Sequence, residues 1–214
     1  MEKKLDISVI SPVFNELENL ETFVESVTAV MNSTNMSWEL IIVDDGSNDG
    51  SSKILKKIGH QENIRSILLS KNYGQTTAIQ AGFDNAVGEY FVTLDSDLQN
   101  DPKDIPMLIQ KLINEELDLV VGWRKDRKDN YFFRNLPSIL ANKLIGTITG
   151  VKLHDYGCSL KVYRAEVLKE VKLYGEMHRF IPAWMATKIP ASKISEIEVT
   201  HHPRIAGDSK YGIS

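Results

Sequence analysis

The chain has 214 residues, 42% of them hydrophobic, and a formal net charge of -4, which suits one α/β domain with a buried core. The acidic balance gives no reason to expect nucleic-acid binding, although six basic against two acidic residues between Arg124 and Lys143 indicate a local anionic ligand or an anionic membrane surface. The single cysteine excludes an internal disulfide and fits a reducing, cytoplasmic setting. Because the sequence has no apolar run of about 18 residues, we predict neither a transmembrane helix nor a signal peptide.

Apolar runs alternate with helical patterns through the first half of the chain. The runs predict strands at residues 7–10, 40–43, 64–69, 90–94 and 119–121. Apolar stripes at helical spacing predict helices at 17–31, 49–58 and 76–86, and another that begins at Asp101-Pro102, where an aspartate cap precedes a proline. This alternation predicts a single α/β domain with a Rossmann-like, mostly parallel sheet flanked by helices.

The second half is less regular. An apolar stripe predicts an amphipathic helix at 132–150, which Pro137 would kink. Residues 156–163 and 194–201 are predicted as strands, and a polar loop follows Pro203.

Polar clusters follow the predicted strands of the first half, at 12–16, 44–45, 70–74, 95–99 and 123–124. Ligands of such sheets bind beyond the carboxyl ends of the strands. The five clusters therefore predict one site at one edge of the sheet.

The sharpest local feature is Asp95-Ser96-Asp97, with Gln99 two residues later. Two carboxylates and an amide oxygen after a strand suit Mg²⁺ or Mn²⁺, with a diphosphate completing the shell. The same tripeptide is common in solvated turns. Its place after a buried strand, in register with four other polar loops, favours the metal.

Two other clusters allow a structural role as an alternative to ligand binding. Within Asp44-Asp45-Gly46-Ser47, one carboxylate suits a base or ribose, whereas a turn and a helix cap would also explain the composition. In the cluster 12–16, Pro12 predicts the end of strand pairing, and Asn15 or Glu16 predicts the start of a helix.

No glycine loop of the G-x-G-x-x-G or Walker type is present, which argues against a nicotinamide dehydrogenase and a P-loop nucleotidase. A metal and arginines are the natural alternative for neutralising phosphates. The candidates are Arg124, Arg134, Arg204 and Lys210.

Asp155 is either a general base or a turn residue. The remaining polar candidates carry no recognisable chemistry. Four histidines follow no metal-ligand spacing and are interpreted as structural or surface residues: His154, His178, His201 and His202. Cys158 is predicted to be a buried apolar residue.

Taken in order, these motifs resemble family 2 glycosyltransferases of the branch that makes polyprenyl-phosphate sugars, and the resemblance covers essentially the whole chain. Residues 12–16 are similar to the opening motif, with Phe14 where tyrosine is frequent. Residues 204–210 resemble the R-x-x-G-x-S-K loop that closes over the donor. Phe133-Arg134 with Ser138 resembles the motif for the acceptor phosphate.

The resemblance implies a GT-A-type fold and a role for each matching residue. Donor binding is implied for Pro12, Phe14, Glu16, Val43, Asp45, Asp95, Ser96, Asp97, Arg204 and Lys210. Metal binding, of Mg²⁺ or Mn²⁺, is implied for Asp95, Asp97 and Gln99, and acceptor-phosphate binding for Arg124, Arg134 and Ser138. Asp97 and Arg124 would be catalytic, together with Asp155 if a base is needed.

The implied reaction is inverting transfer of a hexose, from UDP-glucose or a UDP-N-acetylhexosamine, to a polyprenyl phosphate such as undecaprenyl phosphate. The setting would be the cytoplasmic face of the cell membrane, for cell-envelope glycosylation, and relatives often form homo-oligomers. Residues 1–123 would bind the nucleotide-sugar, and 124–214 the acceptor and the closing loop.

Three alternatives stay open. The donor could be GDP-mannose, the enzyme could act on the hydroxyl of a soluble glycan, or the chain could bind nucleotide-sugars as a regulator without turnover. Bacterial relatives usually continue into an interfacial helix and transmembrane helices, so we expect this sequence, which ends at Ser214, to be a truncated catalytic domain.

Overall fold

The computed structural model describes residues 5–125, 146–147, 149–168 and 171–204. Its strands are β1 (Leu5–Val13), β2 (Trp38–Asp44), β3 (Ile64–Leu68), β4 (Gly88–Thr93), β5 (Leu119–Trp123), β6 (Lys161–Arg164) and β7 (Ile194–Glu198). Its helices are α1 (Leu17–Asn32), α2 (Ser51–Ile58), α3 (Gln75–Asn85), α4 (Ile105–Asn114), α5 (Ala165–Leu168) and α6 (Ile181–Met185). Short 3-10 helices lie at Pro102–Asp104, Met177–Phe180 and Ala191–Lys193.

The seven strands form one sheet in the order β3-β2-β1-β4-β6-β5-β7. Strands β3, β2, β1 and β4 are parallel, and β7 is parallel to β5. Only β6 runs against its neighbours, between β4 and β5. The predicted mostly parallel α/β sheet is therefore confirmed, and the carboxyl ends of its parallel strands share one edge.

Helices cover the sheet, so its central strands are apolar on both faces. All seven residues of β2 are buried. On α1 the predicted stripe is buried at Leu20, Val24, Val27 and Met31, while Leu17 is 37% exposed at the first turn. The Asp101 side chain accepts a hydrogen bond from Lys103 N (3.0 Å), as expected of a cap.

The sequence misplaced the end of β1. Pro12 does not end strand pairing, because β1 continues through it and pairs it with Val43 of β2. Pairing with β4 has already ended at Ile10. At Pro12 the strand has a neighbour on one side only. On the side of β4 no strand hydrogen bond requires the N–H that proline lacks.

The predicted strands of the second half are shorter than expected. Residues 156–160 form a turn-rich segment before β6, because their polar groups bond to the loop after β4 instead of to a strand. One such bond runs from Ser159 Oγ to Asn100 Oδ1 (3.0 Å). Strand β7 ends at Glu198, and His201 forms only an isolated bridge with Asn100. Most of the predicted helix 132–150 lies outside the described residues.

Among the helices that the structure describes, none has the length and apolar character needed to cross a bilayer.

Gly46 joins two loops at the carboxyl edge. Its φ is +73°, and a Cβ built there would lie 2.3 Å from the backbone carbonyl carbon of Lys71. Gly175 has a similar φ of +57° with nothing within 4 Å of a Cβ. Close backbone approach at Gly46 therefore adds to the cost of a left-handed conformation.

We expect Gly46→Ala to lower the free energy of unfolding by about 3 kcal/mol or more, since backbone strain and a clash add together. Gly175→Ala, which carries the strain alone, should cost about 1 kcal/mol. Urea denaturation of both variants measures the difference, and equal losses would contradict the close approach of the two loops.

Candidate active site

The polar loops predicted to share one edge do contact one another. The backbone N–H of Asn15 donates to Ser47 Oγ (2.9 Å), and its side-chain oxygen accepts from Asn48 N (2.8 Å). Ser96 Oγ donates to the Pro12 carbonyl (3.3 Å). The loops after β1, β2 and β4 are thus joined by hydrogen bonds.

Two carboxylates at the end of β2, Asp44 and Asp45, bond to the loops around them. Asp44 accepts from Ser47 N (3.0 Å) and from the Ser52 hydroxyl. Asp45 is fully buried and accepts from the backbone N–H groups of Tyr73 (2.7 Å) and Gly74 (2.9 Å). Burial raises the pKa of Asp45 despite these bonds. The turn interpretation thus explains both residues, and contact of Asp45 or of the fully buried Val43 with a nucleotide stays a prediction.

Asp95 is held by residues from two other segments. Gln75 Nε2, at the start of α3, donates to Asp95 Oδ1 (2.8 Å). Ser159 Oγ accepts from Asp95 N (3.4 Å) and donates to Asn100 Oδ1 (3.0 Å). Burial, and then the charge of Asp97, raise the pKa of Asp95 to about 6.

Asp97 is bound from the far end of the described chain. Gln99 N donates to Asp97 Oδ1 (3.1 Å), and Arg204 Nη2 donates to Asp97 Oδ2 (2.7 Å). The other arm of Arg204, Nη1, lies 3.3 Å from Glu16 Oε1. Asn19 Nδ2 donates to the second Glu16 oxygen (2.7 Å). The first motif, the carboxylate pair and the start of the predicted closing loop therefore meet.

The carboxylate pair fits a hard divalent cation. Among the described residues there is no cluster of three or more His, Cys, Asp or Glu side chains placed to hold a metal, so Asp95 and Asp97 would need oxygen ligands from elsewhere. Burial, and then repulsion from Asp97, raise the pKa of Asp95, and a shared cation would offset both. The backbone N–H of Gln99 donates to Asp97, and its carbonyl accepts from His202 N (2.8 Å). Its role as a metal ligand stays a prediction.

Arg124 and Asp155 form a two-pronged ion pair, with Nε–Oδ2 at 2.7 Å and Nη2–Oδ1 at 3.0 Å. Both side chains are mostly buried. Burial disfavours the charged guanidinium, but the bonds to Asp155 and its charge outweigh burial and raise the pKa of Arg124. Asp155 thus anchors Arg124 in this structure, and its assignment as a general base stays a prediction.

Sequence reasoning missed several residues that surround Asp95. Besides Gln75, Ser159 and Asn100, they include Lys161, a buried lysine whose Nζ donates to the Cys158 carbonyl. Burial lowers the pKa of Lys161, while the charges of Asp155 and Asp95 oppose that shift. A lysine inside the apolar run 160–163 was the one signal available from the sequence.

Cys158 is buried, as predicted, and burial raises the pKa of its thiol to about 11. The histidines hold neighbouring groups together. His178 Nδ1 lies 2.6 Å from Thr76 Oγ1, and burial lowers the pKa of His178 to about 3. His154 pairs with Glu196 and stacks on Trp123, with ring centroids 4.2 Å apart.

Three predicted site residues, Arg134, Ser138 and Lys210, lie outside the described residues. The acceptor-phosphate motif and the end of the closing loop therefore stay predictions.

The Arg124–Asp155 pair generates a stability prediction. Asp155→Asn leaves a mostly buried guanidinium without a counter-charge, and we expect it to lower the free energy of unfolding by about 3 kcal/mol. The exposed Lys125–Glu198 pair (2.6 Å) provides a control, since Glu198→Gln should cost less than about 1 kcal/mol. Urea denaturation at pH 7 measures both, and a small loss in Asp155→Asn would show that the pair is not structural.

The sequence of this chain is similar to a family model and to known proteins. A sequence model described as glycosyl transferase family 2 matches residues 8–172. A dodecaprenyl-phosphate galacturonate synthase from Rhizobium johnstonii is 56% identical over 214 residues, covering 99% of this chain and 63% of the relative. An undecaprenyl-phosphate 4-deoxy-4-formamido-L-arabinose transferase from Salmonella paratyphi A is 41% identical over 207 residues, covering 96% and 62%. The chain thus spans somewhat less than two thirds of the length of these relatives.

Solved structures share the fold. Glucosyl-3-phosphoglycerate synthase from Mycobacterium tuberculosis, in complex with Mn²⁺, UDP-glucose and phosphoglyceric acid, superposes with a TM-score of 0.72 at 19% identity, covering 94% of this chain and 72% of that one. The same enzyme with phosphoglyceric acid alone gives 0.72 at 18% identity, with 94% and 73% covered. At such identities the likeness concerns the fold, which is of the GT-A type. From its sequence match and its fold, the chain belongs to glycosyl transferase family 2.

Proposed function

We propose that this domain transfers a sugar from a nucleotide diphosphate-sugar to a polyprenyl phosphate, with inversion at the anomeric carbon. The observation that carries the proposal is the Asp95–Asp97 carboxylate pair, which is bonded to Gln75 and Arg204 at the edge of the sheet where ligands of this fold class bind. Two similar relatives are named for polyprenyl-phosphate sugars, which supports the same acceptor here.

On the donor side, Asp95 and Asp97 would hold Mg²⁺ or Mn²⁺, and bound metal would neutralise the charge that develops on the leaving diphosphate. Gln75 and Ser159 fix the direction of Asp95 through the bonds described above. The other residues of the proposed donor and metal site are those implied by the family resemblance: Pro12, Phe14, Glu16, Val43, Asp45, Ser96, Gln99, Arg204 and Lys210.

On the acceptor side, the attacking group would be a phosphate oxygen, which is already anionic at neutral pH. No strong base is needed, and this agrees with Asp155 being bonded to Arg124 through both oxygens. The remaining task is to hold two anions close together, which preorganised positive charge achieves. Arg124, Arg134 and Ser138 are the proposed acceptor-phosphate residues.

The same pair argues against a glycan hydroxyl as acceptor. A neutral hydroxyl needs a base to remove its proton. The candidate for that role, Asp155, accepts three hydrogen bonds from Arg124 and a fourth from Gly157 N (3.1 Å), so its lone pairs are engaged.

The sugar and the nucleotide are a finer proposal. The family resemblance favours UDP-glucose or a UDP-N-acetylhexosamine, with GDP-mannose as the alternative. Similarity to a galacturonate synthase adds a nucleotide-linked uronic acid to the donors to be tested. We further propose that the domain acts at the cytoplasmic face of a membrane, with residues 1–123 binding the donor and 124–214 the acceptor, and that it can form homo-oligomers.

A transfer assay tests the function. The protein is incubated with undecaprenyl phosphate in detergent micelles, Mn²⁺ and each labelled donor in turn: UDP-glucose, UDP-N-acetylglucosamine, UDP-galacturonate and GDP-mannose. We expect label in the lipid fraction with one donor, and about a thousandfold lower kcat/KM in Asp97→Asn because charge stabilisation at the diphosphate is lost.

Asp84→Asn is the matched control, since Asp84 is an exposed carboxylate on α3 that pairs with Lys172; it should transfer like the wild type. Full activity in Asp97→Asn, or transfer to a soluble glycan but not to the lipid phosphate, would overturn the proposal.

A further inference from the structure

Arg204 makes a two-armed contact with carboxylates from two distant parts of the chain. Nη2 lies 2.7 Å from Asp97 Oδ2, and Nη1 lies 3.3 Å from Glu16 Oε1. The Arg204 side chain is 23% exposed, and both carboxylates are more buried than that. Charge-assisted bonds of this kind, partly shielded from water, hold a guanidinium in a defined place.

The contact uses the carboxylate that the proposed metal site needs. Asp97 Oδ1 accepts from Gln99 N (3.1 Å), and Oδ2 accepts from Arg204 Nη2 (2.7 Å), so a cation that binds Oδ2 meets the guanidinium there. A divalent cation at about 2.1 Å from that oxygen would lie within a few ångströms of the guanidinium charge. Two cations so close repel each other, and one excludes the other.

We propose that Arg204 is an internal competitor for the divalent cation, an inference that rests on the proposed function. In the nucleotide-free protein its guanidinium neutralises Asp97 and weakens cation binding. When the cation arrives together with a diphosphate, Arg204 leaves Asp97 and bonds to the phosphate oxygens that the cation brings. Cation and nucleotide therefore bind cooperatively, and Arg204 supplies part of the coupling.

The bond to Glu16 would keep Arg204 beside the site after its guanidinium leaves Asp97. Glu16 Oε2 is held by Asn19 Nδ2 (2.7 Å), which leaves Oε1 facing Arg204. With this second anchor, the guanidinium can move off Asp97 and remain beside the site. Arg204 is thus a positioning residue that exchanges one anion, Asp97, for another.

Mn²⁺ titration followed by electron paramagnetic resonance tests the competition, because the signal of free Mn²⁺ falls as the ion binds. Without nucleotide, we expect Arg204→Ala to bind Mn²⁺ about three- to tenfold more tightly than the wild type, the range for a lost, partly buried ion pair. With UDP present the order should reverse, and Arg204→Ala should bind Mn²⁺ more weakly.

Two control variants separate the loss of the Arg204–Asp97 contact from the general effects of losing an ion pair or a positive charge. Arg164→Ala removes a pair of similar burial, in which Arg164, 24% exposed, lies 3.2 Å from Asp118. Lys125→Ala removes an exposed cation at the carboxyl end of β5. Both should bind Mn²⁺ like the wild type. Unchanged affinity in Arg204→Ala without UDP, or equal tightening in Lys125→Ala, would overturn the competition.

Asp97→Asn distinguishes this inference from the proposed function. Loss of Mn²⁺ binding in Asp97→Asn, together with unchanged binding in Arg204→Ala, would remove the competitor role and leave the metal site standing. Wild-type Mn²⁺ binding in Asp97→Asn would remove the metal site itself, and both proposals with it.

Discussion

Repulsion between two neighbouring carboxylates, Asp95 and Asp97, is the constraint around which this domain is organised. Burial and the charge of Asp97 raise the pKa of Asp95 to about 6, so Asp95 is costly to keep ionised. The surrounding charges offset that cost. Arg204 bonds to Asp97, while Arg124 and Lys161 act on Asp95 through their charge. Under the proposed function, a divalent cation and its diphosphate would replace Arg204 at Asp97.

The sheet brings these groups together. Strands β1, β2 and β4 are parallel, so the loops that follow them meet at one edge and bond through Asn15, Ser47 and Ser96. The antiparallel β6 has a separate role, because it carries Lys161 next to Thr93 of β4. The turn before β6 then reaches the loop after β4 through Ser159. Stability and function are coupled here, since the same hydrogen bonds close the loops and aim the carboxylates.

The sequence predicted the features that depend on local pattern. Strand and helix periodicity identified the parallel half of the sheet, and the order of polar motifs identified the site edge and the family. Contacts between distant residues were beyond such reasoning: Arg204 meets Asp97 across 107 positions and Glu16 across 188. Lys161 and Gln75 resemble ordinary residues of a strand and a helix until the fold places them beside Asp95. For Asp155 the sequence allows both a base and a turn residue, because only the geometry of Arg124 reveals its partner.

Calorimetric titration with UDP, first with Mn²⁺ and then with excess chelator, tests the central claim that Asp95 and Asp97 bind a metal diphosphate. The account predicts that UDP binds with Mn²⁺, and that binding collapses with chelator or in Asp97→Asn. A parallel titration with GDP assigns the nucleotide, and tighter GDP binding would move the donor to a guanosine diphosphate sugar. UDP binding that chelator leaves unchanged would contradict the account, because the carboxylate pair would then have no cation to share with the diphosphate.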